Sequence, residues 1–337
     1  MTSPLRIGLL GAARISERSL VTPARATGDR LVAVAARSRS RAVSFAAEHG
    51  VERVCDDYAS VCADGDVEVV YNPLANALHG PWNLAAVRAG KHVLSEKPSA
   101  SNAAEARVVA EAARAGGVTV VEGFHYLHHP VMRRMHKLLD SGELGELRQV
   151  EAHVTMPAPP DDDPRWSFQL AGGAVMDLGC YGLHAHRTLA GWAGGEPRVV
   201  GGRGEERPGH PGVDEWLEVH LVYPGGATGY MRCSMADDWR VTLRLVGSTG
   251  EAIAANFVLP HRDDSIWVRS GAGVERTETL GTRTSFIYQL EALRAHLRGA
   301  GPADPLFPDA DDAVASAELI DAAYLAAGFT PRPATTL

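Results

Sequence analysis

The sequence predicts an α/β protein of two domains, a doubly wound parallel sheet followed by an α+β domain with a large, mainly antiparallel sheet. Short apolar strands alternate with helical segments over the first third of the chain, as in sheets that are buried on both faces. Longer strands with alternating polar residues follow, separated by glycine-rich turns. We therefore predict domains at residues 1–122 and 123–337.

The first strand, at residues 5–10, runs into a glycine turn and a helical segment. A Rossmann-type dinucleotide turn needs a glycine for its bend, then small residues where the backbone meets pyrophosphate and where the helix packs. Gly11, Ala13 and Ser16 take these places. Because two of them are not glycine, an ordinary glycine turn is the alternative. The turn residues predicted to contact a cofactor are Gly11, Ala12, Ala13, Arg14 and Ile15.

A second apolar strand, at residues 30–36, ends where such folds contact the adenosine ribose. Arg37, Ser38 and Arg41 follow it, in place of an acidic residue that would accept hydrogen bonds from both ribose hydroxyls. Guanidinium groups suit a phosphate dianion. We therefore predict NADP as the cofactor, with NAD as the less favoured choice. The alternative interpretation is a solvated basic helix start.

The alternation of strands and helices continues to the end of the first domain. We predict strands at 67–72, 92–95 and 118–122 and helices at about 78–89 and 103–115. Ligands bind beyond the carboxyl ends of parallel strands, so the residues at those ends become candidates. The predicted cofactor contacts there are Asn72, Pro73, Leu74, Asn76, His79, Glu96 and Lys97.

Lys97 is the most informative of these candidates. It follows an apolar strand and precedes Pro98, which lacks a backbone donor and fixes a turn. We interpret its ammonium group as lying beside a nicotinamide, and the alternative is a solvated loop charge. Glu96 would serve as its ion-pair partner or as a hydrogen-bond acceptor on the nicotinamide side.

The second domain begins with a predicted helix at residues 130–141. Alternating strands and the turns at 224–226 and 247–250 then predict an antiparallel sheet with hairpins. A second copy of the chain could cover the open face of that sheet, so we predict a homodimer, or a dimer of dimers, through it. The remaining predicted elements are strands at 147–156, 216–223, 228–235 and 241–246 and a helix at about 310–327.

A glycine-rich helix in this domain carries the second group of candidates. Gly172 and Gly173 open it, and Asp177, Tyr181 and His184 recur at spacings of four and three, which places them along one face. An acid, a phenol and an imidazole on one helix face indicate a site. The alternative is a chance arrangement on a solvated face, and His184 taken alone is more typical of a structural histidine.

In these motifs the chain resembles the Gfo/Idh/MocA oxidoreductases, over nearly its whole length. The similarity is greatest to the NADP-using branch that includes D-xylose 1-dehydrogenase and dimeric dihydrodiol dehydrogenase. The motifs that carry the resemblance are residues 11–15, Pro73 with Asn76 and His79, residues 96–98, and residues 172–181.

The resemblance implies a role for each matching residue. Lys97 matches the active-site lysine, Asp177 the acid that positions substrate hydroxyls, and Tyr181 the general acid/base. His184, Arg165 and Trp166 fall where this branch builds its pocket, with the last two expected near the cofactor, and His125 is expected to contact substrate. His125 and Leu127 stand where relatives often carry Met and Arg, which implies a substrate other than a free pentose.

The implied chemistry is an NADP(H)-dependent transfer of hydride between nicotinamide and a secondary alcohol or carbonyl of a sugar, cyclic polyol or dihydrodiol. A free tyrosine has a pKa of about 10, and a neighbouring ammonium lowers that pKa. We therefore expect Tyr181 to exchange the proton, Lys97 to lower the pKa of Tyr181, and Asp177 to orient the substrate. The alternatives are a ketoreductase acting on a nucleotide-linked sugar, an oxidoreductase that retains its nucleotide, and a non-catalytic NADP-sensing protein.

Composition narrows the partners. A formal charge of −8 argues against nucleic acid, and no apolar run reaches membrane-spanning length. The start of the chain does not resemble a signal peptide, and four cysteines without paired-motif spacing indicate a reducing cytoplasm. His125, His128 and His129 have no Cys or Glu partner at a recognised spacing, so we predict no metal.

Overall fold

The computed structural model describes residues 3–300 and 306–336, which divide into two compact units. The first unit takes the described residues within Met1–Phe124, Phe286–Ala317 and Pro333–Leu337. The second takes His125–Ser285 and Glu318–Arg332. The predicted boundary after residue 122 lies near the first crossing between units, and the chain crosses again at later positions. A division into two continuous stretches therefore does not describe these units.

The elements follow in chain order. The strands are β1 (Arg6–Leu10), β2 (Arg30–Ala35), β3 (Val69–Asn72), β4 (His92–Ser95), β5 (Val120–Glu122), β6 (Leu147–Thr155), β7 (Arg198–Glu206), β8 (Asp214–Val222), β9 (Thr228–Ser234), β10 (Arg240–Gly247), β11 (Glu251–Ala254), β12 (Ser265–Arg269) and β13 (Glu275–Thr279). The α-helices are α1 (Thr22–Thr27), α2 (Arg39–His49), α3 (Tyr58–Ala63), α4 (His79–Arg88), α5 (Ala103–Gly116), α6 (Pro130–Asp140), α7 (Cys180–Thr188), α8 (Ser285–Leu297) and α9 (Ala310–Ala326).

The first unit is built on a five-stranded parallel sheet in the order β2-β1-β3-β4-β5. Its strands are almost wholly buried, which explains their continuous apolar sequences. All five strands run in one direction, so their carboxyl ends form a single edge. The predicted parallel α/β sheet is confirmed. Leu290 and Leu293 of α8 belong to the core on one side of this sheet, which is why that distant segment joins the first unit.

The second unit contains an eight-stranded sheet in the order β13-β12-β11-β10-β6-β9-β8-β7. Only the β6–β9 pairing is parallel among the described pairings, so the predicted mainly antiparallel sheet is confirmed. The predicted hairpins join β8 to β9 and β10 to β11. No residue ranges were predicted for strands β7, β11, β12 and β13.

One face of this sheet is covered by the glycine-rich helical segment, which continues into α7. A Cβ at Gly182 would lie 2.6 Å from Met231 Cγ, and one at Gly179 would lie 2.9 Å from Cys233 Sγ. Both neighbours belong to β9. The glycines therefore let the helix approach the sheet more closely than any larger residue would.

The opposite face of the sheet is only partly buried and carries aromatic and charged side chains. The Arg232 guanidinium lies 4.7 Å from the centre of the Trp216 ring, and the Tyr230 hydroxyl donates to Glu218 at 2.8 Å.

Among the described residues, no helix combines the length and the apolar character that a membrane crossing requires.

Candidate active site

The turn after β1 has the geometry of a tight glycine bend. Gly11 has a φ of +97°, a conformation that strains any residue with a Cβ, and its N–H donates to Ala35 O at 2.7 Å. A Cβ here would also lie 3.1 Å from Leu74 Cδ2. Ala12, Ala13, Arg14 and Ile15 follow at the same edge, and Ser16 N–H donates to Ala13 O at 3.0 Å.

Cationic side chains and the start of helix α2 follow strand β2. Ser38 caps the eleven-residue helix α2, because its Oγ accepts from Arg41 N–H at 3.4 Å. The Arg41 guanidinium donates to Ala12 O at 3.0 Å, which ties this segment to the glycine turn. Arg39 is committed to an ion pair with Asp56. Arg37 is exposed and has no ion-pair partner within the described part of the chain.

Asn72 and His79 hold this edge together from within. Asn72 Nδ2 donates to His79 O at 3.1 Å and to Asn83 Oδ1 at 2.8 Å. The His79 ring lies 2.6 Å from Pro98 O and 2.8 Å from Leu74 O. Burial lowers the pKa of His79 to about 4, so the ring is neutral and its single N–H donates to one of these carbonyls. Both side chains therefore shape the edge by bracing loops, with Pro73, Leu74 and Asn76 between them.

Lys97 emerges after β4 beside Glu96. The Tyr71 hydroxyl donates to Glu96 Oε1 at 2.7 Å and also contacts Ser19 Oγ at 2.6 Å. Burial raises the pKa of Glu96, while the Tyr71 hydrogen bond and the charge of Lys97 act in the opposite direction. Lys97 and Glu96 are both half-buried. The fourth strand thus delivers an ammonium group at the edge that carries the glycine turn.

In the second unit, a buried ion pair anchors the start of the glycine-rich helix. Asp214 Oδ2 accepts from Val175 N–H at 2.7 Å, and its other oxygen accepts from Arg332 at 2.5 Å and from Tyr324 at 3.0 Å. Arg332 also donates to Gly172 O at 2.7 Å. Burial raises the pKa of Asp214 to about 6, against the effect of the guanidinium.

Gly173 makes room for this anchor. Its φ is +127°, and a Cβ there would lie 2.0 Å from Asp214 Oδ1. Asp214 and Arg332 are fully buried, and sequence reasoning missed both. No local signal marks them, because they lie 39 or more residues from the helix start that they hold.

Two histidine–tyrosine pairs join this helix to residues 125 and 126. His125 Nε2 lies 3.3 Å from the Tyr181 hydroxyl, and His184 Nδ1 lies 2.7 Å from the Tyr126 hydroxyl. His125 Nδ1 lies 2.8 Å from Ser285 Oγ. All five side chains are buried. Sequence reasoning missed Tyr126 and Ser285. One signal for Tyr126 was available in the sequence. It directly follows His125, and Tyr181 and His184 offer the same two residue types three positions apart on the helix.

The remaining candidates of this unit lie beside the helix. Asp177 precedes α7 in a π-helical turn, Val175–Gly179, and forms an ion pair with Arg165 at 3.2 Å. Trp166 is 2% exposed, with its indole N–H on Pro159 O at 3.3 Å and the Arg207 guanidinium over its ring. The structure thus pairs Tyr181 with His125 and His184 with Tyr126, and the two tyrosine rings meet edge to face. It also pairs Asp177 with Arg165, while Trp166 is packed inside the unit.

Comparison with known proteins decides the family. Residues 5–124 match the model of the oxidoreductase family with an NAD-binding Rossmann fold, and residues 132–253 match the GFO/IDH/MocA C-terminal domain. The chain belongs to the GFO/IDH/MocA oxidoreductase family. The resemblance inferred from the sequence motifs is confirmed.

Named members of the family share most of the chain. D-xylose 1-dehydrogenase (NADP(+)) 2 of Haloferax volcanii is 33% identical over 95% of this chain and 96% of its own. Trans-1,2-dihydrobenzene-1,2-diol dehydrogenase of Mus musculus is 30% identical over 97% of this chain and 98% of its own. A 3-ketoreductase from Actinomadura kijaniata, solved in complex with NADP and TDP-benzene, superposes with a TM-score of 0.86 at 28% identity, covering 96% of this chain and 98% of that one.

The donor set of the first unit suits the dinucleotide that this GFO/IDH/MocA oxidoreductase is expected to bind. The glycine turn leaves the backbone unobstructed where a pyrophosphate would approach. Arg37, the Ser38 hydroxyl and the start of α2 offer positive groups and donors where an adenosine ribose would end. No cluster of three or more His, Cys, Asp or Glu side chains in the described chain is arranged to hold a metal ion.

Proposed function

We propose that this chain is an NADP(H)-dependent oxidoreductase that transfers hydride between the nicotinamide and a secondary alcohol or carbonyl of a sugar, cyclic polyol or dihydrodiol. The observation that carries the proposal is the carboxyl edge of the parallel sheet. Three strands of one sheet end there, and they are followed by the Gly11 bend, the exposed Arg37 and the half-buried Lys97.

The preference for NADP depends on the end of β2. Arg37 is exposed, and the hydroxyl of Ser38 and the N–H groups of α2 lie next to it in the chain. A phosphate on the ribose would gain charge-assisted hydrogen bonds there, whereas NAD offers only hydroxyls. Arg41 supports the site by fixing the segment to Ala12. The NADP-dependent relatives support the same choice.

Three side chains carry the chemistry in this proposal. Tyr181 gives a proton to the substrate oxygen during reduction and takes it back during oxidation. Lys97 supplies the positive charge that stabilises the phenolate and polarises that oxygen. Asp177, held by Arg165, accepts hydrogen bonds from substrate hydroxyls. The bound cofactor supplies the hydride chemistry itself.

A ketoreductase acting on a nucleotide-linked sugar is the second candidate. It is supported by the dTDP-3,4-didehydro-2,6-dideoxy-alpha-D-glucose 3-reductase of Streptomyces violaceoruber, which is 36% identical over 73% of this chain. The Actinomadura kijaniata 3-ketoreductase, solved with TDP-benzene, supports it as well. Both candidates use the same side chains and differ in what the substrate carries beyond the reacting carbon.

We further propose a cytoplasmic homodimer, or a dimer of dimers, formed through the open face of the eight-stranded sheet. Trp216, Tyr230 and Trp267 lie there only partly buried, with Arg232 stacked on Trp216. Such a surface, rich in aromatic and Arg side chains, is typical of protein interfaces. Sedimentation equilibrium should give twice the chain mass or a multiple of it. A monomer at micromolar concentration would contradict the proposal.

The experiment that tests the proposed function follows NADPH absorbance with a panel of aldoses, cyclic polyols, dihydrodiols and a dTDP-linked keto sugar. We expect turnover on at least one of these compounds, with NADP strongly preferred over NAD. A preference for NAD would contradict the interpretation of Arg37 and Ser38. Tight NADP binding without turnover on any compound would favour a sensing protein instead.

A further inference from the structure

We infer that His125, fixed by Ser285, donates a hydrogen bond to the Tyr181 oxygen and stabilises its phenolate. This inference rests on the proposed function, in which Tyr181 exchanges the proton. It gives this chain a second source of phenolate stabilisation besides Lys97. His125 acts through the phenol and is therefore a positioning residue.

The geometry places the imidazole between two hydroxyl groups. Its Nε2 lies 3.3 Å from the Tyr181 oxygen, and its Nδ1 lies 2.8 Å from Ser285 Oγ. The rings of His125 and Tyr181 meet edge to face, with centroids 5.9 Å apart. Solvent reaches 1% of His125, 7% of Tyr181 and none of Ser285. The contacts are therefore shielded from competing water, which strengthens them.

A serine hydroxyl can donate to or accept from an imidazole nitrogen, and in this inference Ser285 is the donor. When Ser285 donates its O–H to Nδ1, the neutral imidazole must carry its hydrogen on Nε2, and that N–H points at the Tyr181 oxygen. Tyr181 can then accept from His125 while its own hydrogen faces the substrate. Once that proton has left, the N–H of His125 faces a negative oxygen. A distance of 3.3 Å is long for a neutral bond, and such contacts shorten when the acceptor becomes charged.

A second hydrogen-bonded pair of a tyrosine and a histidine lies beside the first. In this pair the histidine, and not the tyrosine, belongs to the helix. There the phenol belongs to Tyr126 and the imidazole to His184, at 2.7 Å. Tyr126 is fully buried, and its ring packs edge to face on Phe257 with the centroids 5.3 Å apart. Removing that hydroxyl alters a buried Tyr–His hydrogen bond next to Tyr181 but leaves His125 and Ser285 in place. It is the matched control.

The other charged and titratable groups around the phenol are unchanged in the His125 and Ser285 variants. Within the second unit they are Asp177 before Tyr181 and His184 after it on the same helical segment, Arg165 paired with Asp177, and the Tyr126 ring. The proposed function adds the ammonium of Lys97. A change in the pKa of Tyr181 between the wild type and a His125 variant is therefore due to the loss of the imidazole.

The test measures the pKa of Tyr181 directly, by NMR of the full-length protein labelled with ¹³C at the Cζ of its eight tyrosines. The Tyr181→Phe variant identifies the resonance, and titrations are run with and without NADP. We expect His125→Met to raise the pKa of Tyr181 by about one to two pH units. His125→Gln, which retains an N–H donor, should restore part of the shift, and Ser285→Ala should produce a smaller rise. Tyr126→Phe should leave the pKa unchanged.

A Tyr181 pKa that moves no further in His125→Met than in Tyr126→Phe would overturn the inference. If His125→Met does not fold, Ser285→Ala removes a single oxygen atom and decides the question, and an unchanged pKa there would overturn it too. Kinetic measurements distinguish a failure of the proposed acid/base role of Tyr181 from a failure of the inference about His125. Full turnover by Tyr181→Phe would refute the proposed acid/base role. Loss of turnover in Tyr181→Phe, with a wild-type pKa in His125→Met, would refute the inference alone.

Discussion

The two compact units hold their candidate residues by different means. In the first unit, Gly11, Arg37 and Lys97 each follow a strand of one parallel sheet, so a residue's place in the site follows from its place after a strand. In the second unit, Tyr181 lies on a helix whose start is held by Asp214 and Arg332. Local motifs therefore reveal a site built on strand ends, whereas a site on an anchored helix also depends on distant residues.

The largest expected effect is on turnover and tests whether each unit contributes a reacting group. Tyr181→Phe should lower kcat about 10²–10⁴-fold, because the proton donor is lost, and Lys97→Met should have an effect of similar size. Steady-state kinetics with the best substrate of the panel measure both. An unchanged kcat in Tyr181→Phe together with an inactive Lys97→Met would make the lysine the proton donor.

The anchor of the second unit should matter for stability. Asp214→Ala leaves the Arg332 guanidinium buried without its carboxylate, and we expect a loss of about 3–5 kcal/mol in the free energy of unfolding. Urea unfolding followed by tryptophan fluorescence measures it. The control is Glu52→Ala, which breaks an exposed ion pair with Arg30 in the first unit and should cost less than about 1 kcal/mol. Equal costs would contradict the importance given to the anchor.

Each unit also contains a fully buried neutral histidine, and acid should destabilise both units through them. Burial lowers the pKa of His79 and of His186 to about 4, below the ordinary value of 6.5. The unfolded chain therefore binds protons first, so their contribution is complete above about pH 6.5 and is lost as the pH falls towards 4. We expect up to about 3 kcal/mol per histidine.

Unfolding free energies measured at several pH values test this sign. His186→Gln should flatten the dependence in the second unit, because the glutamine side chain does not titrate. A wild-type stability that stays constant between pH 6.5 and 4 would show that these rings are not held neutral.

The smallest expected effect concerns the cofactor. Arg37→Asp should reduce the preference for NADP over NAD in kcat/KM by about 10–100-fold, since it replaces a phosphate donor with a like charge. Arg39→Ala is the matched control, because its guanidinium is already paired with Asp56. If both variants changed the preference equally, the phosphate contact would have to come from elsewhere.

Much of the fold could be predicted because it has periodic local signals. The five parallel strands and the strands β6, β8, β9 and β10 lie within about two residues of their predicted positions. Strand β7 was missed because Gly201, Gly202 and Gly204 make its sequence resemble a loop. In the structure a Cβ at Gly204 would lie 2.6 Å from Trp216 O, so close strand contact explains that glycine.

The site was predicted less completely, for a related reason. Sequence spacing placed Tyr181 and His184 on one helix, but the partners of these side chains belong to other segments of the chain. Ser285 lies 160 residues from His125, and no local pattern links them. Asn72 and His79 were predicted as cofactor contacts from their position at or after the end of a strand, whereas their hydrogen bonds to His79 O and Pro98 O depend on the folded loops.

The most direct test of the account follows the hydrogen itself. An alcohol from the panel that carries deuterium on its reacting carbon is incubated with NADP and the wild-type protein, and the NADPH formed is examined by NMR. We predict deuterium at C4 of the nicotinamide with the wild type and almost none with Tyr181→Phe. NADPH without that deuterium, or equal transfer by both proteins, would contradict the proposed mechanism.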